Sequence, residues 1–166
     1  MNRFDVFFDM LVKNEGWYSN DKNDSGKETI LGVSSKSFPT QFKTIKGFYD
    51  LGDMVNAKDA AKKFYYDEFY NPLYDNILDE RVAFRLFDFG VNAGVHTAVK
   101  YLQQTLGIVA DGIFGLETLK QTNSAGDALY ENYNNNLKRF YQSLAENNPK
   151  DKKFLTGWLA RLDRTV

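Results

Sequence analysis

The sequence predicts a mainly α-helical chain with one small β element near the amino end. Three observations carry this. Apolar residues recur at spacings of three and four through most of the chain. Glycine and proline fall at the ends of those runs. Strand character is confined to the short stretch "ETILGVS", which follows a polar, turn-rich segment. With 166 residues there is room for one compact domain or two small subdomains. No internal repeat or low-complexity tract divides the chain.

The first element is amphipathic: Phe4, Phe7, Phe8, Leu11 and Val12 lie on one stripe with Asp5, Asp9 and Lys13 between them, and Gly16 is the expected stop. Residues 19–27 are turn-rich, and Thr29, Ile30 and Val33 then supply strand character, so a small hairpin lobe is expected. Residues 34–55 read as short helical pieces broken by Pro39, Gly47 and Gly52. A helix follows from Ala57 to Tyr70, with Asn56 as its cap and Pro72 beyond its end. "ERVAFRLFDFGVNAG" is apolar almost all round, which predicts a central, buried helix. "VHTAVKYLQQTLG" gives another helix ending at Gly107, and "ADGIFG" a turn. The last third offers a long helix bounded by Pro149 and a shorter amphipathic one in "KFLTGWLARLDR".

Composition excludes several chemistries. The chain has no cysteine and one histidine, so disulfides, thiolate catalysis and the usual zinc clusters are closed off. Residues 1–90 carry 12 basic and 15 acidic side chains, residues 91–166 carry 9 and 7, so the balance is nearly even throughout. A nucleic-acid binder would show a strong basic patch. The amino end has acids inside its apolar run and no small-residue cleavage pattern, so a secretory signal is not expected, and no apolar stretch approaches the ~20 residues of a membrane span. The expectation is synthesis in the cytoplasm without an integral membrane segment. Abundant aromatics, 14 Phe and 10 Tyr, suit both a packed core and an aromatic-lined groove.

One acid stands out at the break after the first helix. In "NEGWY", Glu15 meets the negative end of the helix dipole, which opposes ionisation, and desolvation by Trp17 and Tyr18 pushes the same way. A glutamic acid held protonated near neutral pH can donate a proton to a glycosidic leaving oxygen. Hydrolysis then needs a second group, and Asp24 and Thr29 lie across the polar loop; composition does not separate Asp21 from Asp24. On physics alone, the first reading of Glu15 is a merely solvated helix-end residue. His96 reads as a capping or solvent-facing side chain, and "DGIFG" lacks the carboxylates of a calcium loop. "NPKDKK", Arg161 and Arg164 read as a solvated face, and Phe64, Tyr65, Tyr66, Phe69, Tyr70 and Tyr74 as mostly core.

The ungapped run "EGWYSNDKNDSGKETILGVS" resembles the signature of the glycoside hydrolase family 108 muramidases, found as phage endolysins and secretion-associated lysozymes. Glu15, Gly16, Tyr18, Asp24, Gly26, Thr29 and Gly32 fall into step with it. Trp17 stands where that family usually has a second Gly, and Lys27 replaces the later one. "FDFGVNAGVHTAVKYLQQTLGIVADGIFGLETL" resembles the family's second segment, a predicted peptidoglycan-binding region. The resemblance implies a lysozyme-like helical fold with a small β-hairpin lobe, residues 1–90 as the catalytic segment and 91–166 as a helical peptidoglycan-binding segment packed with it as one compact unit. It implies an N-acetylmuramidase cleaving the bond between N-acetylmuramic acid and N-acetylglucosamine, with Glu15 as the acid, Asp24 and Thr29 as helpers, and Trp17, Tyr18 and Asn92 as substrate contacts. A lytic transglycosylase and a non-catalytic wall-binding or secretion-accessory protein are the alternatives. No metal or organic cofactor is implied. The partner is the peptidoglycan glycan strand, reached from the cytoplasm through a holin or secretion machinery, and the chain is expected to be a monomer acting on the cell wall in the periplasm.

Overall fold

In the computed structural model the described residues are 2–13, 17–20, 28–164 and 166. Their helices are α1 (Arg3–Lys13), α2 (Pro39–Asp50), α3 (Met54–Phe69), α4 (Glu80–Ala93), α5 (Val95–Leu106), α6 (Leu116–Ser124), α7 (Leu129–Asn147) and α8 (Leu155–Leu162). Short 3-10 turns occupy Pro72–Asn76 and Pro149–Phe154. Three strands, β1 (Tyr18–Asn20), β2 (Glu28–Ile30) and β3 (Val33–Ser34), form one antiparallel sheet in chain order. The fold is mainly α with one small antiparallel sheet, as the sequence predicts. Contacts divide the chain into two compact units, residues 1–70 and 71–166.

In the first unit α1 buries Phe4, Phe7, Phe8 and Leu11, the stripe its spacing predicts. It runs antiparallel to α3: Asp5 pairs with Lys62 and Asp9 with Lys58, each pair of partners four residues apart on its helix. The acids inside the apolar run therefore serve as the hydrophilic edge of a helix pair. Phe4 packs on Tyr66 and Tyr70, and Phe8 on Tyr65. Residues 39–50 form one continuous helix, not broken pieces. Pro39 sits at its first position, where a missing N–H costs nothing. Gly47 lies within that helix with open space around it. Gly52, with φ +75°, instead makes the turn into α3. The cap of α3 is Asp53, whose carboxylate accepts from the Asn56 N–H at 3.1 Å, so Asn56 is the capped residue and not the cap.

The second unit is built on α4, buried on nearly every side from Val82 to Gly90. The sequence expectation of a central helix is met, with an addition: two of its buried residues are Arg85 and Asp88. Arg85 donates to the carbonyls of Arg161 at 3.2 Å, Leu162 at 2.7 Å and Arg164 at 2.6 Å. These carbonyls lie at and just beyond the carboxyl end of α8, where the regular intrahelical ladder runs out, and that of Arg161 is shared with the Arg164 N–H at 3.2 Å. Arg85 also contacts the Tyr130 hydroxyl and the Asp88 carboxylate, each at 3.3 Å. Arg161 closes the cluster on Asp88, with Nη2 to Oδ1 at 3.0 Å. Arg161 is thus a buried-edge ion-pair partner, and the Arg164 carbonyl is a ligand of Arg85. Neither belongs to a free solvated face.

Around α4, Tyr133 of α7 donates to the Ala98 carbonyl of α5 at 2.8 Å, and Trp158 of α8 stacks on Tyr141 of α7. The "ADGIFG" turn is held by the buried Gln103. Its amide donates to Asp111, Ile113 and Thr118, and its carbonyl accepts from the Gly112 N–H at 2.8 Å. The Ile113 N–H, and after it the Gln103 amide, donate to the Asp111 carboxylate and hold it below its ordinary range. Gly112 has φ +74°, and a Cβ there would fall 2.4 Å from the exposed His96 ring. The helix α6, which the sequence reading left unassigned, follows directly and is only nine residues long.

Arg85→Met should cost the second unit about 3–5 kcal/mol, since the Leu162 and Arg164 carbonyls would lose the buried donor and Asp88 would keep only Arg161 as its partner. Urea denaturation of the folded variant, or its loss from the soluble fraction, measures this.

Candidate active site

The β lobe grows out of the end of α1 and is fixed by one unusual turn. Ile30 faces Val33 across β2 and β3, leaving Leu31 and Gly32 as a two-residue hairpin loop. Both have positive φ, +48° and +78°, which is the type I′ geometry that matches strand twist. Glycine adopts it freely, while Leu31 is the only non-glycine at positive φ among the described residues. Its cost is met by burial of the side chain and by two hydrogen bonds. The Leu31 N–H donates to the Trp17 carbonyl at 2.9 Å, and the Leu31 carbonyl accepts from the buried Tyr65 hydroxyl at 2.9 Å. One residue thus ties α3, the hairpin turn and the entry to β1 together.

Register then sorts the lobe's side chains. Tyr18 pairs with Ile30, and Ile30 with Val33, and the two aliphatics are buried beneath the sheet. On the other face Ser19 lies opposite Thr29, and Thr29 opposite Ser34, so three hydroxyl residues form a row across all three strands. Thr29 is half-buried, and Ser34 also accepts from the Lys36 and Ser37 N–H groups at the approach to α2.

Trp17, at the bend before β1, and Tyr18 both stack against Tyr49 of α2. The ring centroids are 6.4 and 6.0 Å apart, with planes 26° and 20° from parallel. Trp17 and Tyr18 are each 38% exposed. The Tyr18 hydroxyl donates to Glu28 at 2.7 Å, and Asn20 donates to the same oxygen at 3.2 Å. The carboxylate beside it raises the Tyr18 phenol above its ordinary pKa. Lys46, paired with Asp50 at 2.7 Å, lies 5.6 Å from the Tyr18 ring centroid. A cavity of about 350 Å³ opens beside Trp17, lined by Asp9, Val12, Lys13, Trp17, Leu31 and Lys58.

Of the residues singled out in the sequence, Thr29, Trp17 and Tyr18 share this lobe. Glu15, Asp21 and Asp24 lie outside the described residues. Asn92 is on α4 in the second unit, where its amide donates to the Tyr141 hydroxyl at 2.6 Å. Sequence reasoning missed Ser19, Glu28 and Tyr49. Alternation from Thr29 marks Glu28 as facing the other way, but pairing with Ser19 depends on the hairpin's register. Nothing in "KGFYD" distinguishes Tyr49 from the other aromatics of its helix. No helix among the described residues is long and apolar enough to cross a membrane.

Glu28→Gln should bring the Tyr18 phenol back toward its ordinary pKa near ~10. Because that phenol is raised in the folded protein, its hydrogen bond adds stability below pH ~10, which is lost as pH rises through the raised value. The difference in phenolate absorbance between parent and Tyr18→Phe, repeated in the Glu28→Gln background, reads the shift. Tyr65→Phe, which leaves the Leu31 carbonyl unsatisfied, should cost about 1–3 kcal/mol in denaturant melts.

The profile of the family described as glycosyl hydrolase 108 matches residues 8–94, and that of a family described as a predicted peptidoglycan domain matches residues 97–163. Among curated proteins nothing matches. Among solved structures, one titled "Structure of Brucella abortus SagA" superposes with a TM-score of 0.71 at 22% identity, covering 97% of this chain and 90% of that one, a likeness of fold. The first profile spans more than half of the 166 residues and begins within α1, ahead of the β lobe and its cavity; the chain therefore belongs to the glycosyl hydrolase 108 family and is a peptidoglycan hydrolase of the lysozyme type.

Proposed function

We propose that the β lobe and the end of α1 form the catalytic centre, and that Glu15 is its general acid, protonating the oxygen between N-acetylmuramic acid and N-acetylglucosamine. The observation that supports this is the cavity beside Trp17. Two of its lining residues, Lys13 and Trp17, stand two positions before and two after Glu15 in sequence. Asp24 serves on the water side of the sugar, and Thr29, in its hydroxyl row, orients the attacking water. Trp17, Tyr18 and Asn92 contact the glycan. Water then adds to the anomeric carbon, giving one proton to the Asp24 carboxylate, as the leaving sugar takes the proton of Glu15, and a new reducing end results. A separation of roughly 6.5–9.5 Å between Glu15 and Asp24 would fit the inverting course that this proposal adopts.

In this reading residues 1–90 carry the chemistry and residues 91–166 hold the wall. The enzyme is a monomer of the endolysin or secretion-associated kind, released to the periplasm through a holin or equivalent pore.

Glu15→Gln keeps shape and removes the proton, so lysis of purified peptidoglycan should fall about 10²- to 10⁴-fold while the circular dichroism spectrum is unchanged. Mass spectrometry of the parent digest should find reducing N-acetylmuramic acid ends. Anhydro-muramic ends would instead mean a lytic transglycosylase, and parental lysis by the folded variant would move the acid elsewhere.

A further inference from the structure

We infer that Tyr49 is a positioning residue for a sugar subsite at the Trp17 cavity, which receives one N-acetylhexosamine ring of the glycan. The inference rests on the muramidase reading above and adds to it a residue outside the three-strand lobe.

Trp17, Tyr49 and Tyr18 form a stepped run of nearly parallel rings, their centroids about 6 Å apart at each step. Parallel rings at that spacing are offset, so each covers only part of the next. Trp17 remains 38% exposed, lines the cavity and is braced by Tyr49, which does not line it. An exposed indole with no brace would spread over several rotamers, and ordering it would cost binding energy on every encounter. Tyr49 has its backbone within α2, so it presents Trp17 in one orientation before a sugar arrives.

The remaining lining fits an N-acetylated pyranose. Its C–H face is apolar and suits the indole; the acetyl methyl matches Val12 and Leu31, while the hydroxyls and amide find Asp9, Lys58 and Lys13. Asp9 and Lys58 are paired at 2.8 Å and together offer an acceptor and a donor with no net charge, while Lys13 adds one further cationic donor to the wall. The volume of about 350 Å³ lies at the small end of the range typical of ligand pockets, in keeping with a single sugar ring.

The test uses the full chain carrying Glu15→Gln, so that binding is read without cleavage, with chitopentaose as the probe. The chain has only two tryptophans, Trp17 and Trp158, so a change in tryptophan emission on binding that vanishes in Trp17→Phe reports this subsite. Trp17→Ala should weaken binding about three- to tenfold, the size of one aromatic contact. Tyr49→Ala should weaken it by a similar factor, Tyr49→Phe should leave it within twofold, and Trp17→Ala/Tyr49→Ala should be no weaker than Trp17→Ala alone, because Tyr49 acts through Trp17. In otherwise parental enzyme, the Tyr49→Ala effect should fall on KM with kcat preserved. Unchanged binding in a folded Tyr49→Ala protein, or losses that multiply in the double variant, would overturn the inference. If Tyr49→Ala does not fold, Tyr49→Leu takes its place in the same cycle with the same expected outcomes. Full lytic activity in Glu15→Gln would sink the catalytic assignment alone, since chitopentaose holds no N-acetylmuramic acid bond of the kind proposed to be cleaved and its binding stays readable.

Discussion

The second unit depends on one guanidinium. Arg85 sits in the middle of the most buried helix and gives its hydrogen bonds to three carbonyls around the end of α8. An unpaired charge in that position would cost several kcal/mol, so α8 must be present and correctly ended for α4 to stay buried. The reverse also holds: the carboxyl end of α8 has few hydrogen-bond partners within its own short helix. Asp88 and Arg161 neutralise the cluster, and α7 closes it through Tyr130. Three helices are thereby committed to a single arrangement by polar contacts inside an apolar setting, where alternatives would leave donors unmet.

The first unit solves a similar problem with a neutral group. A three-stranded sheet with strands of two or three residues is too small to stand alone. It is anchored instead through Leu31, whose left-handed backbone is held by the Tyr65 hydroxyl from α3 and by the Trp17 carbonyl from the approach to β1. The aromatic surface thus has two independent supports: Tyr49 behind the rings and Leu31 behind the backbone. Side chains held in this way need no ordering before they make a contact, and energy spent on such ordering is lost to binding.

Helices with a clean apolar stripe, α1, α5 and α7, could be read from spacing, and α4 from its lack of a polar face. The reading of residues 39–50 failed because proline and glycine were taken as breaks. Pro39 lies where helices accept proline, and Gly47 costs only about 1 kcal/mol in a helix that packs well on α3. Arg161 was misread for a different reason. Charge predicts exposure unless a buried partner exists, and Asp88 lies 73 residues away. The family signature across the β lobe was legible because its residues are consecutive. The bracing of Trp17 by Tyr49 was not, since it joins residues 32 apart with no periodic relation.

The row Ser19, Thr29 and Ser34 has a consequence for how this enzyme can vary. A strand has a period of two, so the hydroxyl face and the buried Ile30 and Val33 are one choice made once. Exchanging a serine for another small polar residue alters a single contact and leaves the sheet as it was. Gaining or losing one residue between Glu28 and Ser34 would exchange the faces, turning aliphatic side chains outward and hydroxyls into the core. Across descendants of this chain, the lobe's length there is the more constrained quantity, and the identities of its outward residues the freer one.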